Sequence, residues 1–372
     1  MIYLDNAATT NKKPKSVYRE ILRYLRRYCA NPARSSHELS IYSSERVYDA
    51  REAVCGLLGI DQPEGVIFTM NATYALNLAI KTLISEKCHV LISDLEHNSV
   101  IRPLNILNER LGVEFTEFSS EELSEESLSS CLRPDTKAII STLSSNVTGR
   151  EIDEELLSRF SKKHSLKLIL DASQAIGHRK IDLKKTPADA LCAPGHKALF
   201  GIMGSGFAVF SDNTRQQSFI EGGSGRDSLS PFMPKMLPEG YEAGTLPTPA
   251  IISLHEGIKY VREYGEDNIK SRLCDLTARL YDRLDSFSGI KILGYGSGII
   301  SFTHKRIIPD QIVYELNKRK IAVRGGLHCS PSAHRTLGTL KGGCVRVSLS
   351  IFNKPRELDA FYRAMKDIIQ NG

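Results

Sequence analysis

Leu166-Lys167-Leu168-Ile169-Leu170-Asp171-Ala172-Ser173-Gln174 is an apolar run that stops abruptly in a polar cluster. A short run of this kind, bounded by polar residues, reads as a buried strand. The pattern recurs on both sides, at Val66-Ile67-Phe68, His89-Val90-Leu91-Ile92, Ala138-Ile139-Ile140 and Gly206-Phe207-Ala208-Val209-Phe210. Longer segments of helical period separate these runs between about residues 50 and 210. That alternation predicts βαβ units and a largely parallel sheet with helices on both faces. The fold class is therefore α/β, with a large domain expected over residues 15–250.

From Ile251 the pattern changes to long amphipathic helices through about Phe287, broken near Gly265. A strand over Gly298–Phe302, a helix over Pro309–Lys318, strands near Ile321 and Val345 and a terminal helix from about Pro355 follow. Asn353 falls close to the N-cap of that last helix. Residues 1–14 and 251–372 are expected to form a smaller α+β domain.

The 372 residues are 25% charged and 41% hydrophobic, which indicates neither disorder nor a membrane protein. The net charge of +6 comes from scattered side chains, so no nucleic-acid binding is expected. Asp5 follows Met1 too closely to leave room for the apolar core of a secretory signal, and no apolar run approaches a membrane-spanning length. A cytoplasmic location is expected. The eight cysteines include no CxxC and no Cys/His group at zinc spacing, so neither a disulfide framework nor a metal site is predicted. Most sit in apolar runs, as Cys55 and Cys192 do. Cys329 is different, lying between His328 and Ser330 in a Gly-rich polar stretch.

Several predicted strands end in polar clusters, at residues 69–73, 94–99, 144–146 and 171–174. In open α/β sheets ligands bind beyond the carboxyl ends of the strands, so these clusters should converge. Gly195-His196-Lys197-Ala198-Leu199-Phe200-Gly201 sets a lysine among small residues that leave space for a flat ring. Taken alone it reads more readily as a surface lysine in a Gly-rich turn. Asp171 can pair with a protonated pyridine nitrogen or cap a helix, and Gln174 can donate to a ring hydroxyl or be solvated. Residues 68–77 run from a strand into a helix, where free N–H groups at Ala72 and Thr73 make either a phosphate cradle or an ordinary helix start. No nucleotide-binding glycine motif is present. His97 can stack on a cofactor ring or serve as a loop residue. Arg324 and Arg346 bring two guanidinium groups to a chain region that also holds Cys329. Arginine suits a carboxylate, and a thiol near cations suits a nucleophile.

In their order and spacing these segments resemble the class V aminotransferase family of fold-type I pyridoxal 5'-phosphate (PLP) enzymes, and within it the cysteine desulfurase and selenocysteine lyase branch. The resemblance runs from Tyr3-Leu4-Asp5-Asn6-Ala7-Ala8-Thr9-Thr10 to the Arg346 segment and Asn353. It implies a Schiff base at Lys197, a pyridinium partner at Asp171, a ring-oxygen contact at Gln174 and ring stacking by His97. Phosphate contacts are implied for Ala72, Thr73, His196 and Thr245, the last across a dimer interface, so a homodimer is implied as well. Asn146 would lie near the cofactor oxygen and the substrate, and Arg346 would hold the substrate carboxylate. Arg324 would sit beside a sulfur-accepting Cys329. The short Arg-x-Gly-x-His-Cys form is similar to the subgroup with a compact catalytic loop.

The activity so implied converts L-cysteine to L-alanine, with Lys197 moving the α-proton. A persulfide forms on Cys329 and passes to an acceptor, such as a sulfur-acceptor protein. L-selenocysteine would suit the same site. A selenocysteine lyase, and a class V aminotransferase or epimerase that does not use Cys329, are alternatives, as is a non-enzymatic sulfur-carrier scaffold with a degenerate site. Two residues depart from the family pattern. Pro194 stands where many relatives carry a phosphate-binding Ser or Thr, and Leu143 replaces a frequent His.

Overall fold

In the computed structural model, which describes residues 1–32, 35–211, 219–226 and 228–371, each of the apolar runs quoted above becomes a strand of one sheet. The chain begins with β1 (Ile2–Tyr3), α1 (Lys15–Arg27) and α2 (Glu38–Leu58). It then enters β2 (Val66–Thr69), α3 (Ala72–Leu83), β3 (His89–Ser93), α4 (Asn98–Leu111) and β4 (Glu114–Phe118). Helix α5 (Glu125–Ser130), β5 (Thr136–Thr142), α6 (Glu154–Lys163), β6 (Lys167–Asp171), β7 (Ala190–Pro194) and β8 (Gly206–Phe210) complete this part. The seven strands lie in the order β2-β8-β7-β6-β5-β3-β4. The pairs within β7-β6-β5-β3-β4 are parallel, whereas β8 runs antiparallel to both β2 and β7.

The sheet is mainly parallel because helices return the chain to the same end after β3, β4 and β5, and both of its faces are buried. Val90, Ile92, Ile140 and Ile169 pack under α3 and α4, whereas Leu91, Ile139, Leu168 and Leu170 pack toward the other face with α6 and α7 (Thr248–Tyr264). Two pieces of the sheet escape a reading of apolar runs. β4 is an edge strand, Glu114-Phe115-Thr116-Glu117-Phe118, broken by polar residues, and β7, Ala190-Leu191-Cys192-Ala193-Pro194, is built mostly of small side chains.

After α7, Gly265 takes a φ of 88°, and α8 (Glu266–Asp285) starts at the break expected there. β9 (Ile290–Gly296), β10 (Ile299–His304), α9 (Pro309–Lys318), β11 (Ile321–Ala322) and β12 (Arg324–Gly326) follow. The chain ends in α10 (Pro331–Thr336), β13 (Cys344–Ser348) and α11 (Pro355–Asn371). A second sheet of four antiparallel strands has the order β12-β13-β10-β9. Asn353 Nδ2 donates to Glu357 at 2.9 Å, and the Lys354 N–H donates to the same carboxylate, so the start of α11 is capped from Glu357.

The first strand is spent on the far end of the chain. β1 pairs in parallel with β11, and the Asn6 side chain donates to the Ser348 carbonyl at 3.0 Å. Among the described residues no helix is long and apolar enough to cross a membrane.

Candidate active site

The polar clusters at the strand ends meet in one cleft. Its wall includes Ala72 and Thr73 from the start of α3, His97 before α4, Asn146 after β5, Asp171 and Gln174 after β6, and His196 and Lys197 after β7. Eight of the residues singled out from sequence thus come together. Pro194, Ser99, Thr142, Ser144 and Ser173 also face this space.

Each is held by local structure. Asn71 caps α3, its Oδ1 accepting the Tyr74 N–H at 3.1 Å, which leaves the N–H groups of Ala72 and Thr73 at the open end of the helix. Gly206 of β8 allows this helix start to lie close. A Cβ there would come within 2.7 Å of the Asn71 backbone, so a side chain would push the helix end out of place. Asp171 is 2% exposed, with Oδ1 accepting the Ser173 N–H at 2.8 Å. His97 accepts the Ser99 N–H on Nδ1 at 3.1 Å, which puts its proton on Nε2 and fixes the ring. Gln174 donates to the Ala7 carbonyl at 2.9 Å, and His196 Nδ1 lies 3.0 Å from the Thr9 hydroxyl. The Thr10 hydroxyl donates to the Lys197 carbonyl at 2.6 Å. The segment 5–10 is therefore part of the site's support.

Burial sets the charges. It lowers the Lys197 amine to about 8, against an opposing pull from Asp171. It also lowers His97 and His196 to about 4, so both are neutral imidazoles at neutral pH. Sequence reasoning missed Glu96, whose carboxyl burial pushes up to about 8. Its Oε1 accepts the Thr142 N–H at 2.7 Å and pairs with the Ser93 hydroxyl. Burial, with repulsion from the nearby Asp171 adding to it, keeps Glu96 uncharged at neutral pH.

Arg346 is 1% exposed. It donates to Asp5 at 2.8 Å and to the Asn146 carbonyl at 2.9 Å, while its Nε is buried without a partner among the described residues. Asp5, to which the sequence reading gave no role, is thus the counter-charge. Replacing Asp5 with Asn should cost about 3 kcal/mol of stability, because it strands a buried guanidinium. Urea denaturation would measure the loss. Arg324 Nη2 lies 3.9 Å from the exposed Sγ of Cys329. Thr245 does not line the cleft of its own chain. It is exposed, with its hydroxyl 3.4 Å from Asn31 Nδ2.

The donor set suits PLP. A lysine amine with a lowered pKa, a buried carboxylate, a flat imidazole and a helix start with free N–H groups surround one slot. The buried Ser144 hydroxyl has no partner among the described residues and adds a further donor.

A family model for class V aminotransferases matches residues 2–361. The chain belongs to the class V aminotransferase family. A probable cysteine desulfurase of Borreliella burgdorferi is 30% identical, the alignment covering 100% of this chain and 92% of that protein. Another from Methanothermobacter thermautotrophicus is 28% identical, with coverages of 100% and 95%. Among solved structures, the apo cysteine desulfurase of Thermococcus onnurineus superposes with a TM-score of 0.91 at 25% identity, covering 100% of this chain and 95% of that one. A cysteine desulfurase of Escherichia coli gives 0.90 at 22%, with coverages of 99% and 94%, and establishes likeness of fold. The α/β architecture is thus that of the fold-type I class V aminotransferase family.

Proposed function

We propose that the protein is a PLP-dependent cysteine desulfurase that converts L-cysteine to L-alanine and leaves a persulfide on Cys329. The observation that carries this reading is how the Cys329 loop is fastened to the cleft. The His328 carbonyl accepts from Asn146 Nδ2 at 2.8 Å, and the Cys329 carbonyl accepts from the Asn98 N–H at 2.7 Å. The Ser330 hydroxyl donates to Asn146 Oδ1 at 2.6 Å. His328 and Cys329 hold positive φ angles of 50° and 59°, a region that non-glycine residues rarely occupy. Those hydrogen bonds hold the strained turn, which supports a thiol set for a task.

In this reading Lys197 carries the cofactor, Asp171 meets its ring nitrogen, His97 its face and Gln174 its ring oxygen. The amides of Ala72 and Thr73, with His196, take the phosphate. The exposure of Thr245 supports a phosphate contact to a second copy of the chain, and so a homodimer. When bound, PLP supplies an electron sink for the charge left by the departing α-proton. Lys197 holds and moves that proton. Arg346, through Nε, and Asn146 orient the substrate carboxylate, and Arg324 stays beside the thiol. Cys329 Sγ attacks the substrate sulfur, so that an S–S bond forms, the C–S bond breaks and its electron pair stays with the substrate carbon.

The test is to incubate the protein and PLP separately with L-cysteine and L-selenocysteine in the presence of a thiol reductant. Alanine and sulfide in equal amounts from L-cysteine are expected. An oxo acid in place of alanine would reveal an aminotransferase, inverted substrate an epimerase, and alanine from L-selenocysteine alone a lyase. A colourless protein that binds a sulfur acceptor without turnover would reveal a scaffold.

The lowered Lys197 amine predicts the pH dependence of cofactor loading. Only the unprotonated amine is a nucleophile, so its fraction rises about tenfold per pH unit below 8 and levels off above it. Reconstitution of the apoprotein, followed by absorbance, should accelerate through that window. A rate still climbing about tenfold per unit near pH 9 would mean an ordinary exposed lysine.

A further inference from the structure

Three buried side chains with metal-binding atoms lie on the inner side of the Cys329 loop. His328 precedes Cys329, His334 lies on α10 and Cys344 opens β13. One ring nitrogen from each histidine and the Cys344 Sγ all lie within 4.8 Å of one another. Cys344 Sγ is 3.5 Å from His328 Nε2. Two ligands on one tetrahedral cation, with metal–sulfur and metal–nitrogen bonds of about 2.3 and 2.0 Å, are separated by about 3.5 Å. The other separations in the set are at most 4.8 Å, so closing it around a cation takes a shift of up to about 1.3 Å.

An unsatisfied atom points the same way. His334 is 0% exposed, yet its Nε2 has no hydrogen-bond partner among the described residues. Buried polar atoms are rarely left so. His334 Nδ1 lies 2.7 Å from the Thr339 hydroxyl. Donation from Nδ1–H to that oxygen leaves the Nε2 lone pair free, which is the tautomer a metal-binding histidine needs and the outer-shell contact that usually fixes it. The Cys344 thiol is buried and must lose its proton to serve as a ligand. A cation binding here therefore releases the thiol proton to solvent. The resulting thiolate cancels one positive charge, and Asp5 already offsets the nearby Arg346.

We propose that His328, His334 and Cys344 bind a borderline or soft d10 cation, Zn2+ or Cu+, which pins the loop that carries Cys329. Mixed imidazole and thiolate ligands select this class over Mg2+ or Ca2+. The three ligands come from a loop, a helix and a strand. Cys344 is also the ladder partner of Gly326, so the cation ties the entrance of the loop to the helix that follows it. The site stands apart from the reaction proposed above and does not depend on it.

The test uses the full chain loaded with PLP, stripped with a chelator and then titrated with Zn2+ or, under anaerobic conditions, with Cu+ against a chromophoric competitor. One tight equivalent of either cation per chain is expected, and the two arms tell which is retained. With Co2+ as an optical probe, a sulfur-to-cobalt charge-transfer band should appear in the native protein and in Cys329→Ala. Cys344→Ser should abolish the band and weaken binding about 100-fold or more. X-ray absorption on the native zinc-loaded protein, which needs no variant to fold, should give one sulfur and two nitrogen ligands. The proposal fails if no tight equivalent binds, if the band survives in Cys344→Ser, or if Cys329→Ala removes it. Any of these would leave the three side chains as a hydrogen-bonded cluster.

Discussion

Replacing Lys197 by alanine is expected to lower alanine formation from L-cysteine by about 10⁴-fold or more. The substitution removes the group that moves the α-proton, a contribution of about 10²- to 10⁴-fold by itself, and also removes the cofactor's anchor. The cleft should otherwise survive. The Lys197 backbone is held by the Thr10 hydroxyl, and the turn that follows is held by the Phe200 N–H donating to the Lys197 carbonyl at 3.0 Å. Two readouts separate chemistry from folding. The visible cofactor absorbance should vanish, while the circular dichroism spectrum should stay that of the native chain. Turnover at the native rate in this variant would rule out the proposed role of Lys197.

Replacing Cys329 by alanine is expected to have the next largest effect and a different signature. Sulfide release from L-cysteine should fall at least about 10³-fold, the scale on which loss of a nucleophile acts. Cofactor absorbance should be unchanged, because Cys329 is absent from the wall that holds Lys197 and Asp171. The hydrogen bonds of the turn use the backbone of residues 328 and 329 and the side chain of Ser330, so alanine keeps them. Its left-handed φ is no easier for alanine than for cysteine. Normal sulfide release from this variant would rule out the persulfide route.

The apolar runs were legible because burial on both faces leaves no polar residue in a central strand, as in Leu168, Ile169 and Leu170. That same uniformity hid the direction of β8. A run buried on both sides carries no mark of which way it points. β9 was missed because its residues are only partly buried and include two glycines, so it has neither a clean apolar run nor a clean alternation. In the cleft, Asp171, Thr73 and Lys197 could be found from strand ends because the topology of parallel sheets sends strand ends to one edge.

What could not be read were contacts between distant segments. The pairing of Asp5 with Arg346, and the meeting of His328, His334 and Cys344, follow from β1 reaching β11 and from β12 lying beside β13. The spacings between the two histidines and Cys344 match no zinc pattern, so the sequence reading predicted no metal site. Glu96 was passed over beside His97 because nothing local marks a carboxyl as buried.

The anchoring of residues 5–10 also bears on the order in which the molecule is made. Asn6 and its partner Ser348 are 342 residues apart in the chain. A polypeptide leaving the ribosome exposes Asp5 and Asn6 long before Arg346 and Ser348 exist, so these early residues must wait until those later segments emerge. The seven-stranded sheet, finished by residue 210, can assemble first. Contacts of such long sequence separation form slowly, and until they do Arg346 has no counter-charge. A chain synthesised only through β8 can therefore own the seven-stranded sheet and still lack a closed cleft, a state in which a chaperone would find it.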